Sequence, residues 1–565
     1  MFSPAVLGKT PRARAPFGKA QPLMIPYKGL NARSPFSTMG SEYAIALSNV
    51  LVETYGLRCR KGWQKWATGL PGTTPVKTIM HYFPATAVPA PSPAKMPLQV
   101  SDYMVVTPRA THAPSPGKLF AAKGGFVYDV TAGGPGPWVA QSGISGSTDF
   151  WHTCNVQNIA GAFLIATNEG GRYAIYNGAN WVTPTQGTAV GQIEGCDPAL
   201  FCYVMTYKKR LWFLEKNSAR AWYLPVDQIT GKVTMFDFGS QMDHGGMIVA
   251  LENWTMDSGE GMDDQLVAVA SQGDVIIYSG IDPASVSTFE LVGVYYVGPL
   301  PAGRRQVVSD GGDVFILSQF GMQQVSKLLT PTSLSAAAQQ HLTYLIDPLV
   351  ARLMQQYAEL EGWAIYDCSK EEMLTIQMPR DVYGDGAFLA LKTTTQAWST
   401  LKDTTYTHLL NVGSTIYGGN YEGDVVLAFE GALDNVKLDG TGGATIQCRV
   451  TPAYTTLETP AVQKRFMMLR PCFLATITPL IELTMLTDYS LPADINRPSL
   501  PSTVGAKWDV DKWDVGLWAG VRPVIREWLG TAARGFAVAP QIDFMCGGDT
   551  LLTSIDIWYE EGGIL

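Results

Sequence analysis

Charge is scarce in this sequence. Only 16% of its 565 residues are Asp, Glu, Lys or Arg, the formal net charge is −8, and the pI is about 5.4. A chain that grips DNA by neutralising phosphates wants a basic stripe, and this balance argues against one. A sparsely charged surface is tolerable in a permanently assembled subunit, because part of it is covered. Long apolar runs are lacking too. No run of ~18 apolar residues occurs, so no membrane span is expected. "FLATITPLIELTML" is interrupted by Pro479 and Glu482 and reads as strands. The N-terminus is locally basic (Lys9, Arg12, Arg14, Lys19) but has no apolar core of signal-peptide length, so no secretion signal is read.

Metal and nucleophile signatures are also missing. Eight cysteines are scattered at 59, 154, 196, 202, 368, 448, 472 and 546, without a CxxC pair. They read as free thiols in strands rather than as metal ligands. Six histidines (81, 112, 152, 244, 341, 408) lie far apart, and none pairs with another at i, i+4. HExxH, P-loop and GxSxG motifs are absent. No catalytic residue, cofactor site, cofactor or metal ligand is therefore assigned, and the chain reads as non-enzymatic. Three acid pairs are candidates for the two-carboxylate chemistry that propellers often host: Asp263–Asp264, Asp310–Asp313 and Asp381–Asp385. Each also sits at a turn before a strand, where Asp caps backbone N–H groups, and that reading is preferred.

What is abundant is apolar, aromatic and turn-forming. Hydrophobic residues make up 46%, aromatics 11%, and there are 57 Gly and 36 Pro. That composition predicts many short strands joined by turns. From residue 76 to about 430 one theme recurs: an apolar strand, a Gly or Asp turn, a second apolar strand, then often an aromatic. "KLFAAKGGFVYDVTAGGPGPWVA" and "GAFLIATNEGGRYAIYNGANWVTP" are two examples. The units start near 118, 161, 209, 264, 312, 362 and 413. Their spacing of roughly 45–55 residues suits four-stranded blades. Gly124, Gly170, Gly273, Gly321 and Gly423 fall at the turns. The fold class is therefore all-β, a β-propeller of six or seven blades. "VKTIMHYF" (76–83) is an orphan strand that could close the ring by sharing a blade with the last unit.

Three domains are drawn: 1–75, an N-terminal arm and docking segment; 76–435, the propeller; and 436–565, a C-terminal β-sandwich-like domain with five strand candidates. Residues 1–25 read as an extended arm, and 41–53 as a short helix or turn. A helical insertion is expected at 333–361, split into two helices by Pro348, with Asp347 leaving the helix. Leu342, Leu345, Ile346, Leu349, Leu353 and Tyr357 give it a buried stripe.

"GAKWDVDKWDVGLW" places Trp508, Trp513 and Trp518 at steps of five, with Asp509 and Asp514 after the first two. A step of five makes no single stripe on a helix or on a strand. The motif reads as a kinked ribbon whose indoles are buried in different directions, with aspartates stapling the corners. An exposed Trp platform for carbohydrate is the alternative. Lys208, Lys209 and Arg210 form the only basic triplet of the blade region, and Arg304–Arg305 the only other tight pair. They are expected to face solvent, a neighbouring subunit or a channel.

Both ends of the chain carry a resemblance. "PFSTMGSEYAIALSNVLVETYGLRCRKGWQKWATGLPG" followed by "MHY", then "KRFMMLRPCFLA", "WDVDKWDVGLWAG" and the terminal "WYEEGGIL", are similar to segments of tail nozzle proteins of short-tailed bacteriophages. That family is also known as tail tubular protein B-like or DNA-stabilisation proteins. The basic, Pro-rich first 25 residues depart from it. The resemblance implies a homohexameric ring at the distal end of the virion tail, assembled in the host cytoplasm. It implies attachment to the tail adaptor below the portal, spikes or fibres docked near the rim, and a channel through which double-stranded DNA passes without sequence specificity. Contact with the host cell surface is a further expectation. The competing expectation is a propeller glycan hydrolase or lectin acting on host surface polysaccharide.

Overall fold

The computed structural model describes residues 18–84, 117–257, 262–285, 287–329, 341–380, 387–491 and 524–562. The chain forms two compact units, one of Lys61–Thr393 with Thr400–Ala444, the other of Met1–Arg60, Thr394–Ser399 and Thr445–Leu565. The boundaries drawn from sequence run differently, because residues 1–75 are not a separate body.

The first unit is a β-propeller. Six antiparallel sheets of three or four strands, and the leading strands of an eight-stranded sheet, follow one another along the chain. Their innermost strands are Thr78–Tyr82, Trp151–Asn158, Phe201–Tyr207, Ile248–Asp257, Val307–Asp310, Ala364–Cys368 and Tyr406–Val412. Each packs against the next, and the last packs against the first, which closes a ring. The orphan strand "TIMHY" is not the closing strand; it is the inner strand of the first blade, paired with Lys118–Lys123. Closure comes from Trp63–Ala67, which pairs antiparallel with Val425–Ala428 as the outer strand of the last blade. Lys123 adds a latch there. Its ammonium is buried and donates to the carbonyls of Leu70 (2.9 Å) and Gly423 (3.1 Å).

The apolar alternation of the strands is spent between blades. Trp212, Phe236, Phe238, Tyr278 and Phe289 share one inter-blade core, with Tyr278 and Phe289 stacked at 4.9 Å. The tight turns are set by backbone sterics. Gly124 and Gly125 both have positive φ (62° and 81°), as a two-residue hairpin turn requires. Of the other turn glycines named from sequence, Gly273, Gly321 and Gly423 have positive φ, but in the second blade it is Gly171 rather than Gly170.

The expected insertion supplies one described helix, Asp347–Tyr357. Asp347 is its first residue, contrary to expectation, because proline is tolerated in the first turn where its missing N–H has no helical acceptor. Val350, Leu353 and Met354 form its buried face, with Ile346 just before it. Residues 333–340 lie outside the described residues. Ile248–Asp257 pairs antiparallel with Met262–Ala270.

The second unit is a sandwich built from both ends of the chain. All five strand candidates form: Ile446–Pro452, Lys464–Ala475, Leu480–Thr487, Val538–Cys546 and Thr550–Glu561. Lys19–Leu23 adds to Thr550–Glu561 in register Lys19 with Tyr559. Ala44–Ser48 adds to Ile446–Pro452. Segment 41–53 is thus strand, not helix. Asn49, at φ 59°, separates Ala44–Ser48 from Val50–Glu53 and breaks any helical path.

Candidate functional site

Inner strands of a propeller aim alternate side chains at its axis, so polar residues there are the first place to look for chemistry. Here they are bonded to one another. His152 of the second blade holds Glu169 through Nε2, 2.8 Å from Oε1. Its ring packs on Tyr203 of the third blade at 4.5 Å. Tyr203 OH donates to Leu251 O and to Glu252 Oε1, both at 3.1 Å. On the opposite side of the sequence ring, the backbone N–H of Ile79 donates to His408 Nδ1 at 3.3 Å, and Tyr366 stands edge-on to His408.

Arg304 and Arg305 do not face solvent or a neighbour as expected. Arg304 is buried and donates to the carbonyls of Ile248 (2.8 Å) and Val249 (2.9 Å). Arg305 donates to Lys77 O (2.9 Å) and Thr78 Oγ1 (2.6 Å), with its guanidinium over the Phe150 ring. A planar fork of donors reaches several carbonyls of other blades at once, so both arginines fix blades to one another.

Burial sets the protonation states. It pushes Glu252 up to about 7, against the Tyr203 hydrogen bond. Burial also holds His152 below the usual imidazole range, outweighing Glu169. It holds His408 well below that range, helped by the charge of Arg305. For Glu169 burial raises the value, but the His152 hydrogen bond and the nearby cations win, and it is net lowered. The pair is therefore a neutral imidazole donating to a carboxylate. Burial lifts the Cys154 thiol to about 12, so it is not a nucleophile. The cavity beside this cluster, lined by Phe150, Glu169, Arg304, Arg305, Trp363 and Tyr366, is about 20 Å³. That is room for one water.

The other basic residues lie at the tip of a third-blade hairpin. Lys208 and Lys209 are the two turn residues, with φ 44° and 60°, between Tyr207 and Arg210. Lys208 pairs with Asp264 at 3.5 Å and Arg210 with Asp282 at 3.4 Å. Lys209 is exposed. Asp313 caps backbone N–H groups as expected, accepting from Val314 N (2.9 Å) and Ser326 N (3.1 Å); Asp264 does not, because it lies within the strand Met262–Ala270 and accepts from Thr255 Oγ1 of the paired strand (2.9 Å). Trp508, Asp509, Trp513, Asp514, Trp518, Asp381 and Asp385 lie outside the described residues.

The sequence reading missed one cluster. Cys59, Cys448 and Cys546 have sulfurs within 4.8 Å of one another, the only such group of metal-ligating residues among those described. Cys448 is 389 residues from Cys59 and 98 from Cys546, so no spacing motif could reveal it.

No family model matches the sequence, and no curated protein is similar to it. Among solved structures, the chain is similar to YCF48 from Cyanidioschyzon merolae at 11% identity, covering 55% of this chain and 90% of that one, with a TM-score of 0.31. It is similar to Raptor from Chaetomium thermophilum at 9% identity, covering 65% of this chain and 28% of that one, with a TM-score of 0.32. Likenesses this low carry no argument; the ring of sheets itself establishes the propeller.

Proposed function

We propose that the chain is a structural subunit of the tail nozzle of a short-tailed bacteriophage, a homohexamer that attaches to the tail adaptor and surrounds the exit path of double-stranded DNA. The observation that carries the reading is the way the two resembling ends fold together. Leu57 and Arg58, from the first resembling segment, pair with Leu552 and Leu551. Phe466, from "KRFMMLRPCFLA", pairs with Tyr559 of "WYEEGGIL". Segments that match the family at opposite ends of the sequence are thus parts of one sandwich. The later part of the first segment, Trp63–Ala67, closes the propeller.

The axial cluster supports a structural role. Its side chains bond to one another, and the adjoining cavity has room for one water, not for a sugar. The conduit in this reading lies between copies, with propellers as its walls.

The alternative, a glycan hydrolase or lectin, has one observation in its favour. Exposed Tyr296 and Phe320 stand 6.5 Å apart, and His244 stacks on Tyr296 at 4.2 Å. Glycan-array binding by the purified chain that disappears in Tyr296→Ala, together with its absence from purified tails, would favour that alternative. Its presence in tails at six copies, with no sugar binding, supports the nozzle.

A further inference from the structure

We propose that Cys59, Cys448 and Cys546 form a buried thiolate site for one zinc(II) ion, which ties the N-terminal strands to the C-terminal sandwich. The proposal stands apart from the nozzle reading. Three strands deliver the sulfurs. Cys59 ends Gly56–Cys59, Cys448 lies within Ile446–Pro452, and Cys546 ends Val538–Cys546. Ile446 is paired with Cys546 and Cys448 with Phe544. Positions two apart on paired strands share a face, so Cys448 and Cys546 point the same way, into the core that also holds Cys59.

The geometry suits a metal. Cys448 Sγ lies 3.1 Å from Cys59 Sγ and 3.8 Å from Cys546 Sγ. Thiolates bound at about 2.3 Å around a tetrahedral zinc ion lie about 3.8 Å apart. Shifts of a fraction of an ångström therefore convert the cluster into a ligand set. The Asn49 carbonyl oxygen beside the cluster accepts from Cys448 Sγ at 3.2 Å and from the Arg60 backbone N–H at 2.9 Å.

The charge also balances. Zinc with three thiolates carries one negative charge, which an apolar core does not accept alone. Arg60 follows Cys59 directly, is 2% exposed, and is held by Nε on Asn49 Oδ1 at 2.9 Å. Its guanidinium makes the assembly neutral, and Asn49 joins that cation to the ligand shell. Binding releases the three thiol protons to solvent. All-sulfur ligation selects soft or borderline ions over magnesium or calcium.

The test uses the full chain purified with reductant and without chelator. Elemental analysis is expected to find one zinc per chain. Cobalt(II) exchanged into the site is expected to show sulfur-to-metal charge-transfer absorption and tetrahedral d–d bands. Cys546→Ser should lose stoichiometric zinc, whereas Cys202→Ser, a buried thiol of the propeller, should keep it. If Cys546→Ser fails to fold, the wild-type cobalt spectrum still decides. Zinc-free chain with all thiols titrating as free, copper(I) in place of zinc, or a Cys59–Cys448 disulfide in peptide maps would each overturn the proposal.

Discussion

Glu252 is a carboxyl group that the fold holds protonated into the neutral range, with burial pushing it up to about 7 from an ordinary 4.5. As pH rises between those values, the unfolded chain gives up its proton before the folded one. The folded state binds more protons across that window, so stability falls with rising pH and the loss is complete above about 7. Glu252→Gln keeps the shape and the hydrogen bond from Tyr203 but cannot ionise. At pH 8 it is expected to be more stable than the parent by about 1–3 kcal/mol, and at pH 4 no more stable. Thermal melts at the two pH values check this, and equal shifts at both would contradict it. Lys208 and Lys209 give a second prediction at this scale. Both occupy the left-handed region that costs a side-chain-bearing residue roughly 1–2 kcal/mol. Replacing them with Asn-Gly is expected to raise stability by about 1–2 kcal/mol, read as a higher urea midpoint. An unchanged or lower midpoint would mean that the lysines contribute contacts beyond the turn. The sequence shows that these residues are basic and adjacent. It does not show that one pair makes a turn while Arg304 and Arg305 point inward, because direction depends on which carbonyls the fold leaves open.

The strand Trp63–Ala67 shows what an element can contribute from a distance. It precedes the propeller in sequence yet completes its last blade, more than 350 residues onward. Trp63 is buried, and Lys65 anchors the strand to Asp424 at 2.9 Å. Trp63→Ala is expected to cost ~3–5 kcal/mol of propeller stability, measured by denaturant unfolding. A loss below ~1 kcal/mol would show that the ring closes without this strand. Blade strands were legible because alternation and glycine turns are local signals. The closing strand was not, since its partner is chosen by ring geometry. Segment 41–53 was misread for a related reason. Its apolar spacing fits a helix, but Asn49 and strand partners from residues 446–452 override that pattern. The three-cysteine cluster was illegible in the same way, as each thiol comes from a different strand.

At the scale of the whole molecule, surface charge and symmetry set how the proposed ring would meet DNA. In the proposed ring of six copies the net charge of −8 would be multiplied, and like charge would let DNA slide rather than stick. Of the five basic residues singled out, two are turned inward and Lys208 and Arg210 are paired with acids. Filter binding of assembled rings to duplex DNA is therefore expected to be weak, with a shallow dependence on salt. Tight binding with a steep salt slope would contradict a slippery conduit. The propeller and the sandwich were readable as classes from strand pattern alone, and the nozzle role rests on the folding together of both resembling ends. Image reconstruction of purified phage tails tests that role most directly. The account predicts a six-fold ring at the distal end, next to the adaptor, into which one propeller and one sandwich per copy fit as density. A tail containing one or three copies, or particles without this chain, would contradict it.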